Sequence, residues 1–203
     1  MEVGSWRMET KDVLYFEKPG PQNTEAVLRA AVTRARQLDV THVVVASTRG
    51  ETALQCQKAF EGTGVQIVSV GEHAGFYGGG DNQVLTETVR QELEEKGVRV
   101  FIGSHALSGV NRSITNKFGG ISSVEIIAYT LRQFGGEGLK VAVEIAVMAA
   151  DAGLIPTDRE VIAIGGTGKG ADTALVLKAA HMNNFFDLEV REIIAKPRQR
   201  KGE

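Results

Sequence analysis

The chain has almost no cysteine. Cys56 is the one thiol among 203 residues, which excludes an internal disulfide and a cysteine-clustered metal site and suits a reducing compartment. An excess of one charge sign is missing as well: 23 Lys and Arg stand against 25 Asp and Glu, a net charge of −2. That balance offers no electrostatic footprint for nucleic acid or an anionic membrane. Long apolar runs are absent too. The most apolar stretch, Val141 to Ile155, carries Glu144 and Asp151 and is too short to cross a bilayer, so it reads as a buried helix. Met1 to Asp12 lacks the apolar core of a signal peptide, and Met8 is an alternative start, because the recognisable pattern begins only after it. No linker composition and no internal repeat divides the sequence. The expectation is a cytoplasmic protein with one domain over residues 13–198, a poorly defined extension at 1–12 and a solvated basic tail at 199–203.

What is present supports a proper core, with 42% hydrophobic and 24% charged residues. Short β-rich runs alternate with helical patterns throughout. The strand candidates are Val13–Phe16, His42–Ala46, Val65–Val70, Val98–Ile102, Val161–Ile164 and Val190–Ile194, most of them apolar as in a parallel sheet buried on both faces. Val27, Ala31, Ala35 and Leu38 share one helical face, with Asn23 or Thr24 as the cap. Leu85, Val89 and Leu93 form another stripe, closed by Gly97. A third helix follows Ser122 and Ser123 and stops at Gly135; a fourth runs from about Leu139 to Ala152. This alternation predicts an α/β fold with right-handed crossovers and helices on both faces of the sheet.

In such sheets, ligands bind outside the carboxyl ends of the strands, and more than half of the 24 glycines lie there. After His42–Ala46 comes Ser47-Thr48-Arg49-Gly50-Glu51-Thr52, leading into a helix. Hydroxyls, a glycine and free N–H groups at a helix start make an anion site, with Arg49 available for a charge-assisted bond; an ordinary cap needs only one of those hydroxyls. After Val161–Ile164 comes Gly165-Gly166-Thr167-Gly168-Lys169-Gly170-Ala171-Asp172-Thr173, read as running into another helix. It is not a P-loop, because Ala163 and Gly170 stand where the motif needs a glycine and a hydroxyl. Gly166 to Ala171 does fit G-x-G-x-x-A, with Asp187 and Glu189 near the spacing of a ribose acid. The plainer reading is a turn stripped of side chains so that a ligand can approach its N–H groups.

Two further strand ends each carry a histidine, at Gly71-Glu72-His73-Ala74-Gly75-Phe76, continuing to Asp81, and at Gly103-Ser104-His105-Ala106-Leu107, continuing to Gly120. Both are read as long loops, and His73 and His105 are the acid/base candidates. His42 and His181 read as structural, Cys56 as a small buried hydrophobe, and Glu144 as a structural acid that needs a partner.

The run Thr24 to Val70, with Ser-Thr-Arg-Gly-Glu-Thr-Ala at its centre, resembles the C-terminal domain of pyruvate kinase. The resemblance to stand-alone proteins of that fold is closer and covers nearly the whole chain, from Tyr15–Pro21 to Ile193–Arg198. It rests on His105–Val110, Lys117–Gly120, Gly165–Ala174 and Asn183–Asp187. It implies a three-layer α/β/α fold with a mostly parallel sheet of five to six strands and an antiparallel last strand at its edge. It also implies flavin mononucleotide (FMN) as a cofactor in the strand-end crevice. Its phosphate would sit on Ser47–Thr52 or Gly165–Lys169 with Asp172, and its ring against His73–Phe76 and Ser104–Leu107. No metal is implied. No pyruvate kinase activity is expected, because that active site lies in a barrel domain this sequence lacks. Glu51 departs from the basic residue usual after the turn glycine, which argues against a sugar bisphosphate. A metabolite sensor without chemistry, an enzyme acting on a phosphorylated small molecule, and a dinucleotide oxidoreductase are the competing readings. A homo-oligomer formed by pairing of Val190–Ile194 is left open.

Overall fold

The computed structural model describes residues 8–77 and 83–200. The Gly78–Asp81 part of the expected loop and most of the two terminal segments lie outside the described residues. Strand β1 (Leu14–Phe16) leads to helix α1 (Thr24–Gln37), β2 (His42–Ala46), α2 (Glu51–Ala59), β3 (Gln66–Glu72), α3 (Glu87–Glu95) and β4 (Arg99–Gly103). Then come α4 (Gly109–Phe118), α5 (Ser123–Asp151), β5 (Glu160–Gly165), β6 (Thr173–Lys178) and β7 (Glu189–Pro197). The sheet has seven strands in the order β1-β7-β6-β5-β2-β3-β4.

The alternation of valines along each strand sorts the two layers. Val43, Val45, Ile162 and Ile164 face α1, α2 and α3, packing with Val27, Ala31, Cys56 and Leu93. Val44, Val68, Val161 and Ala163 face the other way, onto Leu139, Ala142, Val143 and Ala146 of α5. The chain crosses from the far edge at β4 along α5 to β5, which pairs parallel with β2. Helix α2 leaves the end of β2 on one face of the sheet while α5 covers the other face, and a crevice opens between them at the strand ends.

The predicted α/β class holds, and the structure corrects several details. Thr173–Lys178 is a strand rather than the expected helix: β6 runs antiparallel to β5, with Gly165 opposite Thr173. Its unbroken apolar run has no polar stripe, and a short run of that kind fits a buried strand as well as a helix. The antiparallel strand is thus β6, in the interior of the sheet, and not the last strand at an edge. β7 is itself flanked, by β6 and by β1, with which it pairs parallel. β1 covers β7 only at Ala195–Pro197, so the side of Val190–Ile194 away from β6 carries no paired strand among the described residues. Part of the expected long loop after β4 is the helix α4. Neither proposed cap of α1 uses its side chain as a cap: Asn23 donates to the Lys18 carbonyl (2.8 Å) and the Thr24 hydroxyl to that of Pro21 (2.7 Å).

Helix α5 starts as expected, with Ser122 accepting from the Glu125 N–H (3.2 Å) and Glu125 accepting from the Ser122 N–H (2.8 Å). The expected stop at Gly135 is a kink at Gly136, whose φ of 77° is left-handed. Past the kink, Gly138 meets Gly165 so closely that a Cβ on Gly165 would overlap the Gly138 carbonyl and stand 3.0 Å from the Ala142 nitrogen. This contact sets Lys140 and Glu144 against the strand ends. No helix among the described residues is long and apolar enough to cross a membrane.

Candidate functional site

A cavity of about 400 Å³ opens where the carboxyl ends of β2 and β3, the segment after β4 and the β5–β6 turn face α5. The start of α2 forms one wall. The Ser47 N–H donates to the Val70 carbonyl (3.0 Å) and its hydroxyl accepts from the Ala53 N–H (3.2 Å), so the turn is anchored at both ends. Gly50 takes the cap position at φ 92°, a conformation that favours glycine. Among the described residues, the N–H groups of Gly50, Glu51 and Thr52 find no protein acceptor. Ser47, Thr48, Arg49 and Thr52 line the cavity, and Arg49 has no carboxylate in ion-pair range among the described residues.

The β5–β6 turn supplies the facing wall with Gly166, Gly168, Lys169 and Gly170. Because β6 is a strand, no helix follows this turn in the chain, and the G-x-G-x-x-A match lacks the helix that a dinucleotide site needs. Gly165, Thr167 and Asp172 do not line the cavity. Asp172 is fully buried; it accepts from the N–H groups of Gly20 and Thr167 (both 3.1 Å) and from the Thr173 hydroxyl (2.9 Å). The Thr24 hydroxyl accepts from the Ala171 N–H (2.9 Å). Asp172 and Thr24 thus pin the turn to the segment before α1.

An aromatic cluster closes a third side. Ring centroids are 4.9 Å apart for Phe76 and His105, 5.8 Å for His73 and His105, and 5.0 Å for Phe76 and Tyr77. Phe76, Tyr77 and His105 line the cavity, whereas His73, Gly75, Ser104, Ala106 and Leu107 stand outside its lining. The His73 ring nitrogen is 2.7 Å from the Ala74 carbonyl. Burial pushes the His105 pKa down against the pull of Glu144, and Lys140 adds to the lowering. The ring is therefore neutral near pH 7 and able to accept a proton.

Sequence reading missed most of the fourth wall. Lys140 and Glu144, one turn apart on α5, form a buried ion pair of 2.5 Å, and the second Glu144 oxygen accepts from the Leu107 N–H (2.9 Å). Burial pulls the Lys140 pKa down while Glu144 opposes it. The partner that Glu144 needed is Lys140, and the pair faces the cavity; an i, i+4 spacing at the start of an apolar run was the available signal. Arg112 and Arg132 also reach the site, with Arg132 paired to Glu137 at 2.7 Å. Glu72 lines it with one oxygen buried and without a partner among the described residues, the other accepting from the Tyr77 hydroxyl (3.1 Å). Cys56 is fully buried away from the cavity, which pushes its pKa up to about 12. Among the described residues no group of acidic, histidine and cysteine side chains could hold a metal.

Seven strands between two helical layers, with a crevice at the strand ends, define a three-layer α/β domain. The sequence matches the family model for the pyruvate kinase alpha/beta domain over residues 25–177. The chain belongs to that family. Similar solved structures include a pyruvate kinase of Cryptosporidium parvum at 16% identity and TM-score 0.41, covering 77% of this chain and 23% of that one. A second structure from the same organism has 15% identity and TM-score 0.40, with coverage of 80% and 23%. A third, in complex with ADP, has 15% identity and TM-score 0.39, with coverage of 86% and 24%. The chain spans about a quarter of the length of these enzymes.

Proposed function

We propose that this chain binds a small phosphate-bearing ligand in the strand-end cavity, and that the ligand is FMN. The observation that carries this reading is the start of α2: two buried hydroxyl residues converge on one cavity with three N–H groups and Arg49, none of which has an acceptor or ion-pair partner among the described residues. Lys169 approaches it from the β5–β6 turn without a carboxylate partner among the described residues. The remaining walls suit a flavin nucleotide. Phe76, Tyr77 and His105 offer ring faces and edges. The Glu72 oxygen that has no partner among the described residues suits a donor, such as a ribityl hydroxyl or the flavin imide N–H. Glu51 lines the same cavity with no ion pair among the described residues, which favours hydroxyl groups over a second phosphate beside it. The cavity lies within the range of about 300–1,000 Å³ common for small-ligand sites.

The visible absorption spectrum of the purified protein tests this, together with release and identification of any chromophore. Stoichiometric flavin, or saturable binding of added FMN with riboflavin at least about tenfold weaker, is the expected result, because charge-assisted bonds to the phosphate would be lost. A colourless protein that binds neither would overturn the reading and leave the metabolite sensor and the enzyme on a phosphorylated substrate as its rivals.

A further inference from the structure

Beside the strand-end cavity lies a second one, of about 320 Å³, that the proposed function does not use. The two share three residues, Arg112, Arg132 and Lys140, which stand as a cationic partition between them. The rest of the second cavity is mixed, with Ser108 and Glu125 beside the apolar Leu107 after β4, Ile121 before α5, and Ala128 and Tyr129 on the first segment of α5. Leu107 and Ala128 are buried, whereas Ile121 and Tyr129 are exposed at the mouth.

The charges in this cavity are unequally satisfied. Lys140 is held by Glu144 at 2.5 Å and Arg132 by Glu137 at 2.7 Å. Arg112 has no carboxylate within ion-pair distance among the described residues; its guanidinium lies over the Phe76 ring, 5.5 Å from the centroid. The one acid in the lining, Glu125, is committed to the start of α5. The same carboxylate oxygen accepts from the Ser122 N–H (2.8 Å) and from the Thr115 hydroxyl (2.7 Å). The cavity thus presents apolar side chains opposite one guanidinium that has no ion-pair partner among the described residues. A planar carboxylate matches the guanidinium fork and neutralises it with a single charge, whereas a dianion would bring a surplus charge against an apolar surface.

We propose that this second cavity is a separate small-molecule site that takes a monocarboxylate with a short apolar or aromatic body. The carboxylate lies on Arg112, and the body lies against Leu107, Ala128 and Tyr129. The shared partition places its occupant next to the ligand of the strand-end cavity, so the protein holds two different small molecules side by side. This proposal does not rest on the identity of the first ligand.

The test is a nuclear magnetic resonance titration of the full chain with phenylacetate and hexanoate, and with phenylacetamide as the uncharged counterpart. A carboxylate should give saturable shifts at Leu107, Ala128 and Tyr129, and the amide should bind at least about tenfold more weakly. Arg112→Gln, a surface change, should weaken carboxylate binding by a similar factor. Ala128→Leu should abolish it by filling the cavity, with the unfolding midpoint confirming that this variant folds. The titration is repeated with FMN present: simultaneous binding supports two sites, whereas one-for-one competition would show that a single ligand fills both cavities and would overturn the proposal. The absence of saturable shifts with either carboxylate up to about 10 mM, or equal affinity for the amide, would overturn it too. Should FMN itself fail to bind, the carboxylate titration still decides this question alone.

Discussion

Lys140 and Glu144 show how much one pair of side chains sets in this protein. Both are buried, so each is tolerated only because of the other and because the Leu107 N–H satisfies a further lone pair. Removing one partner leaves an uncompensated charge at the edge of the core. Glu144→Ala is therefore expected to cost about 3 kcal/mol, read from the urea midpoint, while Lys140→Met combined with Glu144→Leu should recover most of that loss. A single variant as stable as the parent would mean that the pair is solvated. From the sequence, Glu144 stood out as an acid in an apolar run, but its role was invisible. Which way an acid on a helix points depends on what the helix packs against, and here that is the strand ends and the Leu107 backbone.

At the scale of elements, the contact between α5 and β5 controls the site. Gly138 and Gly165 let the two backbones touch, and the residues that follow each glycine line the strand-end cavity. Gly165→Ala has no φ penalty, yet its Cβ would strike the Gly138 carbonyl and force α5 outward. A loss of about 2 kcal/mol is expected, with weaker ligand binding because Lys140 and the β5–β6 turn separate. Gly62→Ala is the control: its φ of 72° gives backbone strain, but nothing lies within 4 Å of the added carbon. It should leave binding untouched. Equal binding by the Gly165 variant and the parent would show that the contact does not set the site. Most elements were legible from period and capping; α4 and β6 were not. Thr173–Lys178 carries no local mark that separates a buried strand from a buried helix, and its pairing with β5 decided the matter.

For the whole molecule, pH should act through histidines that folding buries. Burial lowers the pKa of both His42 and His105, with Arg99 adding to the effect at His42. In each case the unfolded chain binds protons more readily than the folded one. The stability tied to these residues is therefore fully present above the unfolded value of about 6.5 and is lost as pH falls through it. The carboxylates with lowered values, Glu9, Glu125 and Asp158, act only at lower pH. The urea midpoint should fall between pH 7.5 and 5.5, and the fall should be smaller in a His42→Gln, His105→Gln variant. A midpoint that holds steady across that interval in the parent would contradict this account.

The sequence by itself determined the class of fold, the family, and the wall of the cavity that is built from one contiguous stretch. The start of α2 is such a stretch: strand, hydroxyls, glycine and helix follow one another, so local chemistry suffices to recognise it. Only the tertiary structure decided which residues complete the site. Asp172, close to the glycine turn in sequence, faces Gly20 across the fold and holds the turn in place. Arg112, Arg132, Lys140 and Glu144, spread over two helices, come to the strand ends through a kink at Gly136 and a glycine–glycine contact. Such long-range juxtapositions depend on how close two backbones can come, a property of the pair of elements that neither segment carries alone.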